Sequence, residues 1–176
     1  GIIKGFAIMN YTFFDNAFIE LLMVAEKYRH CGIGTGRLAM RVCDKCRHFT
    51  GIDISPKTVQ RAKANLQRFE NTDLIYGDFL TYLFSDRFDI IYTSLTFMHI
   101  QDKQAAIRRV AHLLKPSGRF VLSIDSNQQA EIDYGNRRIK VYPDTPDEIT
   151  ALIVEAGLTI EKQFETEYAV IFLATK

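Results

Sequence analysis

The sequence predicts an α/β fold with a mostly parallel sheet. Short apolar runs alternate with amphipathic stretches from about residue 30 onward, and this alternation is typical of strand–helix–strand units. The chain has 176 residues, of which 47% are hydrophobic, enough for one sizeable core and hardly two. No repeat, low-complexity tract or Gly/Ser-rich linker divides it. We therefore expect a single domain over residues 1–176.

The N-terminal part of the chain carries a helical pattern. Apolar side chains recur at helical spacing from Phe18 to Ala25, and this spacing predicts a helix over Asp15–Lys27. Because this helix precedes the sheet, residues 1–28 are expected to form an N-terminal helical cap.

Three strands and one helix are predicted in the first half of the chain. The strands are Phe49–Asp53, Leu74–Tyr76 and Phe88–Tyr92, and the apolar density of the third suits the middle of a parallel sheet. A helix starts at Ser55-Pro56, because a hydroxyl cap is followed there by proline at the first helical position.

The following segment predicts a second helix and a fifth strand. Apolar residues from Ile107 to Leu114 form the buried stripe of the helix. Lys115–Gly118 ends that helix, because proline cannot continue it and glycine permits the turn. Phe120–Ile124 is then a strand.

The C-terminal part predicts one more helix and a hairpin. Thr145, Pro146 and Glu148 combine a capping box with proline at the first helical position, so a helix runs to about Ala156 and Gly157 closes it. The strands Leu158–Phe164 and Tyr168–Thr175 follow. So short a link between them predicts an antiparallel pair.

Bulk properties exclude several classes of protein. The chain has 22 Lys and Arg against 21 Asp and Glu, a net charge of +1, so it lacks the broad positive field of most nucleic-acid binders. Its three cysteines cannot pair completely, which favours a reducing compartment such as the cytoplasm. No apolar window approaches the roughly 18 residues of a membrane span, and no signal peptide is evident.

A glycine-rich loop is the most informative motif. Glycines occupy positions 32, 34 and 36 of Cys31–Arg37, where missing β-carbons let the backbone approach a ligand at the strand ends. A dinucleotide-binding loop would need its third glycine at position 37, which is Arg37 here. The loop instead resembles that of the class I S-adenosylmethionine (SAM)-dependent methyltransferases. A tight turn without a ligand is the alternative.

Two acidic residues at strand ends extend this resemblance. Asp53 ends the second strand, where a carboxylate can accept from both ribose hydroxyls, or can simply cap the next helix. Gly77-Asp78-Phe79 follows the third strand and looks like the family motif in which an acid accepts from the adenine amino group and an apolar neighbour packs on the ring. An ordinary turn aspartate is the alternative for Asp78.

Further segments complete the resemblance, which covers roughly residues 30 to 125. Arg87–Ile100 is similar to the family's fourth segment, and Leu114–Gly118 to its turn before the fifth strand. The resemblance implies a doubly wound, mostly parallel seven-stranded sheet with an antiparallel last strand, and SAM as cofactor. The residues expected at the cofactor are Cys31, Gly32, Ile33, Gly34, Gly36, Asp53, Ile54, Asp78, Phe79, Thr93 and Ser94. Tyr11 is expected to close over the cofactor, and packing in the core is its alternative.

The acceptor side of the site is less defined. His99 is the candidate base, because its ordinary pKa lies near neutrality and its segment borders the reactive end of the cofactor; packing at a helix start is the alternative. Residues 126–143 are expected to form a hairpin near the site mouth, where basic and aromatic residues either face an acceptor or form a solvated edge. Thr93–Thr96 lacks the proline-containing signature of many amino-methylating enzymes, which favours a small-molecule acceptor.

The pattern departs from the family just before the glycine loop. The family has an apolar strand ending in Asp or Glu there, whereas this chain has Lys27–Cys31 with His30 in the acidic position. Missing residues or a degenerate strand would explain this. Degeneration would make a non-catalytic SAM-binding module the competing function, and a nicotinamide-dependent enzyme is a third hypothesis.

A zinc site is the alternative interpretation of the cysteines. Cys43 and Cys46 have the C-x2-C spacing that can hold one metal ion, with Cys31, His30 and His48 nearby in sequence. No second such pair is present, and free cysteines are commonly buried. We therefore expect no metal.

Overall fold

The computed structural model describes residues 17–21, 39–94, 96–133, 138–167 and 169–176. Its larger sheet contains the strands β1 (Ala17–Leu21), β2 (His48–Asp53), β3 (Thr72–Tyr76), β4 (Phe88–Ser94), β5 (Leu114–Asp125), β8 (Thr159–Glu165) and β9 (Ala169–Thr175). A hairpin of β6 (Glu131–Asp133) and β7 (Arg138–Lys140) forms a separate two-stranded sheet. The α-helices are α1 (Pro56–Leu66), α2 (Lys103–Leu113) and α3 (Pro146–Glu155).

The strand order is β3-β2-β1-β4-β5-β9-β8. Neighbours from β3 to β5 are parallel, whereas β9 is antiparallel to both β5 and β8. The short link between β8 and β9 explains this reversal, because a parallel neighbour would need a long crossover. The predicted parallel sheet with an antiparallel C-terminal hairpin is observed.

Strand β1 corrects the prediction for the N-terminal part of the chain. Ala17–Leu21 is a strand, so the predicted helix over Asp15–Lys27 and the helical cap are wrong at these residues. Phe18 is paired with Phe49 on one side and with Ile90 on the other. A short apolar run fits a helix and a buried strand equally well by periodicity. Residues 17–21 form a strand because they lie between β2 and β4, whose backbone groups would otherwise lack hydrogen-bond partners on that side.

The helices begin where their capping residues predict. Ser55 Oγ accepts from the Thr58 amide at 3.3 Å at the start of α1, and Thr145 Oγ1 accepts from the Glu148 amide at 3.3 Å at the start of α3. Gly157, with φ +81°, follows the end of α3. Local side-chain chemistry therefore sets these ends.

The turn before the fifth strand differs from its prediction. Strand β5 begins at Leu114 rather than Phe120, because Leu114 pairs with Phe88 and Ser117 N donates to Lys176 O at 3.1 Å. Ser117, not Gly118, has the left-handed conformation, with φ 62°. Glycine is needed at 118 for another reason, since a Cβ there would lie 2.8 Å from Lys115 O.

Side chains on the two faces of the sheet form two cores. Ile91 belongs to the core that also contains Ile107 of α2 and Ile153 of α3. Ile90 belongs to the other core, with Leu66 of α1 and buried residues near 39–46. Adjacent residues of β4 thus enter opposite cores, as strand geometry requires. No helix in the described ranges is long and apolar enough to span a membrane.

Candidate active site

The sheet has its topological switch point at β1. From this strand the chain order runs outward to β2 and β3 on one side and to β4 and β5 on the other. Ligands of open α/β folds bind outside the carboxyl ends of strands at such a point. Leu21, the last residue of β1, is paired in register with Ile52 of β2 and Thr93 of β4. The ends of β1, β2 and β4 therefore form one edge.

A cleft of about 860 Å³ lies at this edge, within the size range of ligand sites. It is lined by residues that follow β2 and β3, by the loop before α2 and the first turn of that helix, and by α3. The lining residues are Ile54, Asp78, Leu80, His99, Ile100, Gln101, Asp102, Lys103, Gln104 and Leu152.

Asp53 and Ile54 occupy the end of β2 in different ways. Asp53 is 1% exposed and its Oδ1 accepts from the Ser55 amide at 2.6 Å. Ile54 is 58% exposed and lines the cleft. The structure thus presents an apolar side chain at the cleft and holds the neighbouring carboxylate in the turn that leads into α1.

Asp78 and Phe79 follow β3 and point to different places. Asp78 is exposed and lines the cleft, where its Oδ1 accepts from the Leu80 amide at 2.9 Å. Phe79 is fully buried in the core, with its ring centroid 6.2 Å from that of Phe84. The expectation that Phe79 packs on a ligand ring is therefore corrected, since Leu80 is the neighbour that lines the cleft.

The end of β4 is fixed by a pair of hydroxyl groups. Thr93 is fully buried, and its Oγ1 lies 2.6 Å from Oγ1 of Thr96. Ser94 is half-buried. The bond between the threonines holds the backbone as it leaves the sheet toward the 3₁₀ turn Phe97–His99. Thr93 therefore supports the carboxyl end of β4 from within the core and does not line the cleft.

His99 ends the 3₁₀ turn and lines the cleft. Its Nε2 is buried and has no hydrogen-bond partner in the described part of the chain. Burial, and then the nearby Lys103, lower the pKa of His99 below its ordinary 6.5. The imidazole is therefore neutral at neutral pH and retains a site that can take a proton.

The hairpin predicted at the site mouth reaches the cleft through Tyr142. Residues 131–133 and 138–140 pair as antiparallel strands, and residues 134–137 between them lie outside the described residues. The Tyr142 hydroxyl donates to Oε1 of the cleft residue Gln101 at 3.1 Å. Lys140 Nζ lies 5.2 Å from the Tyr142 ring centroid. Arg138 is exposed and its Nη1 lies 3.9 Å from Glu131 Oε2.

Lys103 and Asp144 are residues of the site that sequence reasoning missed. Lys103 Nζ lies 2.6 Å from Asp144 Oδ1, and their side chains are 15% and 1% exposed. Burial lowers the pKa of Lys103 and raises that of Asp144, and their mutual attraction opposes both shifts. No short motif joins them, because they lie far apart in sequence and meet only in the fold.

The cysteine pair of the zinc alternative lies between the 3₁₀ turn Ala39–Arg41 and β2. Cys43 and Cys46, the pair with the C-x2-C spacing, are both buried, and Cys31 and His30 lie outside the described residues. Burial, and then Asp44, raise the pKa of Cys46 to about 11. The described part of the chain holds no group of three or more His, Cys, Asp or Glu suited to a metal ion. Asn71 Nδ2 instead donates to Cys43 O and Cys46 O, each at 2.8 Å.

Most of the segment that forms the cleft matches a known protein family. The methyltransferase domain family matches residues 30–122, more than half of the chain, and these residues include the glycine-rich loop and the ends of β2, β3 and β4. This chain belongs to the class I methyltransferase family. Its predicted glycine-loop contacts, and Tyr11, lie outside the described residues: Cys31, Gly32, Ile33, Gly34 and Gly36.

Individual methyltransferases support the assignment. An uncharacterized methyltransferase of Staphylococcus carnosus is 35% identical over 126 residues, 70% of this chain and 58% of that protein. A demethylmenaquinone methyltransferase of Tropheryma whipplei is 34% identical over 100 residues, 55% of this chain and 41% of that protein. The chain thus spans about half the length of these curated relatives.

A solved methyltransferase structure shows the same fold. The crystal structure of a putative S-adenosylmethionine-dependent methyltransferase from Listeria monocytogenes superposes with a TM-score of 0.77 at 15% identity, over 93% of this chain and 92% of that one. The predicted class I methyltransferase fold is confirmed.

Proposed function

We propose that this chain transfers a methyl group from SAM to a small-molecule acceptor. The observation that carries the proposal is the cleft at the carboxyl ends of the strands, where Asp78 and His99 share a wall with apolar Ile54 and Leu80. The proposal uses the seven-stranded class I arrangement, with β9 as its antiparallel strand.

The described residues fit the adenosine part of SAM. The Asp78 carboxylate can accept from an adenine amino group, and Ile54 and Leu80 provide apolar surface for the ring. Asp53 stands at the end of β2, where it is proposed to accept from the ribose hydroxyls. The glycines at 32, 34 and 36 are proposed to bring backbone close to the rest of the cofactor.

The chemistry asks mainly for alignment. SAM supplies a methyl group made electrophilic by its sulfonium. The protein holds the acceptor in line with that group. His99 accepts the proton that an O–H or N–H acceptor loses as its bond to carbon forms, with S-adenosylhomocysteine as the other product. The neutral state and the unpartnered Nε2 of His99 suit this role.

An acidic residue of β1 is proposed to receive the cofactor's ammonium group. His30 stands where the family has an acid after its first strand, but the structure places a first strand earlier, at Ala17–Leu21. Glu20 is paired in register with Gly51 and Tyr92, close to the carboxyl end of that strand. We assign the acidic role to Glu20.

Several properties support a small-molecule acceptor in the cytoplasm. The demethylmenaquinone methyltransferase similar to this chain is named for a small molecule. The net charge of +1 provides little long-range attraction for a nucleic acid. The three cysteines cannot pair completely, which suits a reducing compartment.

Calorimetric titration with SAM, S-adenosylhomocysteine and NAD tests cofactor binding. Binding of SAM and S-adenosylhomocysteine without NAD is expected, and binding of NAD alone would overturn the proposal. Transfer is then followed as label from methyl-labelled SAM into a cell metabolite extract, and labelled product is expected.

A non-catalytic SAM-binding module is the second candidate. The residue that favours it is His30, which replaces the family's acid next to the glycine loop. In that case SAM binds but no label enters any acceptor in the extract, whereas the enzyme gives labelled product under the same conditions.

A further inference from the structure

Lys103 has an unusually complete set of partners for a lysine at the edge of a cleft. Its Nζ donates to Phe97 O and Tyr142 O, each at 2.8 Å, and lies 2.6 Å from Asp144 Oδ1. Two of the hydrogens of the ammonium group are thus donated to carbonyl oxygens, and the Asp144 carboxylate is its ion-pair partner. The nitrogen also lies 5.1 Å from the centroid of the Phe97 ring.

These partners belong to three different parts of the cleft wall. Lys103 is the first residue of α2, Phe97 begins the 3₁₀ turn that ends at His99, and residues 142 and 144 follow the β6–β7 hairpin. A backbone hydrogen bond joins the same two segments, since Tyr142 N donates to Met98 O at 2.7 Å. Lys103 therefore connects the hairpin to the turn that carries His99.

Asp144 is held in place from the other side. It is 3% exposed, and its carbonyl oxygen accepts from Gln128 Nε2 at 2.9 Å. Residue 128 lies just before the hairpin and residue 144 just after it. Both ends of the hairpin are thus tied to the residue that pairs with Lys103.

Lys103 also acts on His99 through its charge. The charged groups that share the cleft with His99 are Asp78, Asp102 and Lys103. After burial, Lys103 is the group that lowers the pKa of His99. The same side chain thus fixes the turn of His99 and favours its unprotonated form.

We propose that Lys103 and Asp144 are a positioning pair for methyl transfer, which holds the acceptor-side hairpin against the turn of His99 and keeps that imidazole aligned toward the acceptor. This rests on the proposed function, because alignment matters only if His99 takes the acceptor's proton. The pair touches neither cofactor nor reacting atoms in this proposal.

Two variants separate alignment from charge. Lys103→Met/Asp144→Leu removes both members together, which avoids leaving one buried charge without its partner. Lys103→Arg keeps the charge but replaces a compact ammonium with a planar guanidinium that does not match the same three acceptors. Arg108→Met is the matched control, because Arg108 lies on α2 and pairs with Glu155 at 3.1 Å on the exposed surface.

Three measurements on the full chain read the result. NMR titration gives the pKa of the His99 ring, hydrogen exchange gives the protection of the Tyr142 amide, and the initial rate of label transfer from SAM into a fixed metabolite extract gives activity. SAM titration accompanies each variant. We expect the double variant to raise the pKa of His99, to accelerate Tyr142 exchange at least about tenfold, and to slow transfer while SAM affinity changes less than about twofold.

Lys103→Arg is expected to keep the lowered pKa of His99 but to lose Tyr142 protection and transfer rate. Arg108→Met should match the wild type in all three measurements. The proposal is overturned if the folded double variant keeps the wild-type His99 pKa and Tyr142 protection, or if Lys103→Arg keeps full transfer rate. If the double variant does not fold, Lys103→Arg alone decides by the same rate. Failure of the wild type to bind SAM would instead overturn the proposed function.

Discussion

Within the described part of the chain, His99 Nε2 is buried and has no hydrogen-bond partner. Burial, and then Lys103, lower the pKa of this histidine. A base works only when unprotonated. The transfer rate should therefore stay constant from neutral pH down past 6.5 and fall only at lower pH, as the ring protonates. The measurement is the pH dependence of label transfer. His99→Ala should remove this dependence and slow transfer by roughly 10²–10⁴-fold, and an unchanged rate would exclude His99 as the base.

Asp53 is the residue proposed to hold the ribose. Asp53→Ala should weaken SAM binding by about 1–3 kcal/mol through lost hydrogen bonds, as measured by calorimetry. Because Asp53 also accepts from the Ser55 amide at the start of α1, the control is Ser55→Ala, which removes the hydroxyl that accepts from the Thr58 amide there. It disturbs the start of α1 without removing the carboxylate, so its SAM affinity should stay close to the wild type. Equal losses in both variants would assign Asp53 to the helix start alone.

Glu20 is the proposed partner of the cofactor's ammonium group. Glu20→Gln should weaken SAM binding by about 1–3 kcal/mol, the range for a hydrogen bond to a charged group. His30→Asn, at the position that the sequence pattern would give to the acid, should leave the affinity unchanged. Calorimetric titration of both variants checks this. The reverse order of effects would return the role to residue 30.

At the scale of elements, the turn that leads into β5 depends on close backbone approach. A Cβ at Gly118 would lie 2.8 Å from Lys115 O and 3.2 Å from Asp89 O. Gly118→Ala should therefore lower the free energy of unfolding by roughly 1–3 kcal/mol, measured by denaturant unfolding. Ser117→Gly is the control, since φ is 62° there and glycine adopts that conformation without strain. It should be neutral or slightly stabilising.

Helix ends and short strands were predictable from sequence because their causes are local. Ser55 and Thr145 accept the amide bonds that capping predicts, and Gly157 adopts a positive φ. The same logic was wrong for residues 114–118. There Ser117 bonds to the C-terminal residue Lys176, a contact between distant segments that no local pattern reveals.

At the scale of the whole molecule, β1 is the decisive element. It is paired with β2 and β4 on its two sides, so it completes the sheet rather than covering it. A chain of residues 29–176 should therefore lose its cooperative thermal unfolding, because β2 and β4 would each leave an edge unpaired. Circular dichroism and calorimetry check this, with Ile19→Val in the full chain as the folded control. A cooperative transition in the shortened chain would contradict this and would favour the interpretation of residues 1–28 as a cap outside the sheet.

The sequence by itself determined the class of fold, the position of most strands and helices from β2 onward, and the segment that contains His99. Apolar periodicity, capping residues and helix breakers were sufficient for this, because each reflects chemistry within a few residues. Only the tertiary structure decided that residues 17–21 form a strand, that Leu80 rather than Phe79 lines the cleft, and that Lys103 meets Asp144. These outcomes depend on which groups the folded chain leaves without partners and brings together from distant positions, and no local pattern contains that information.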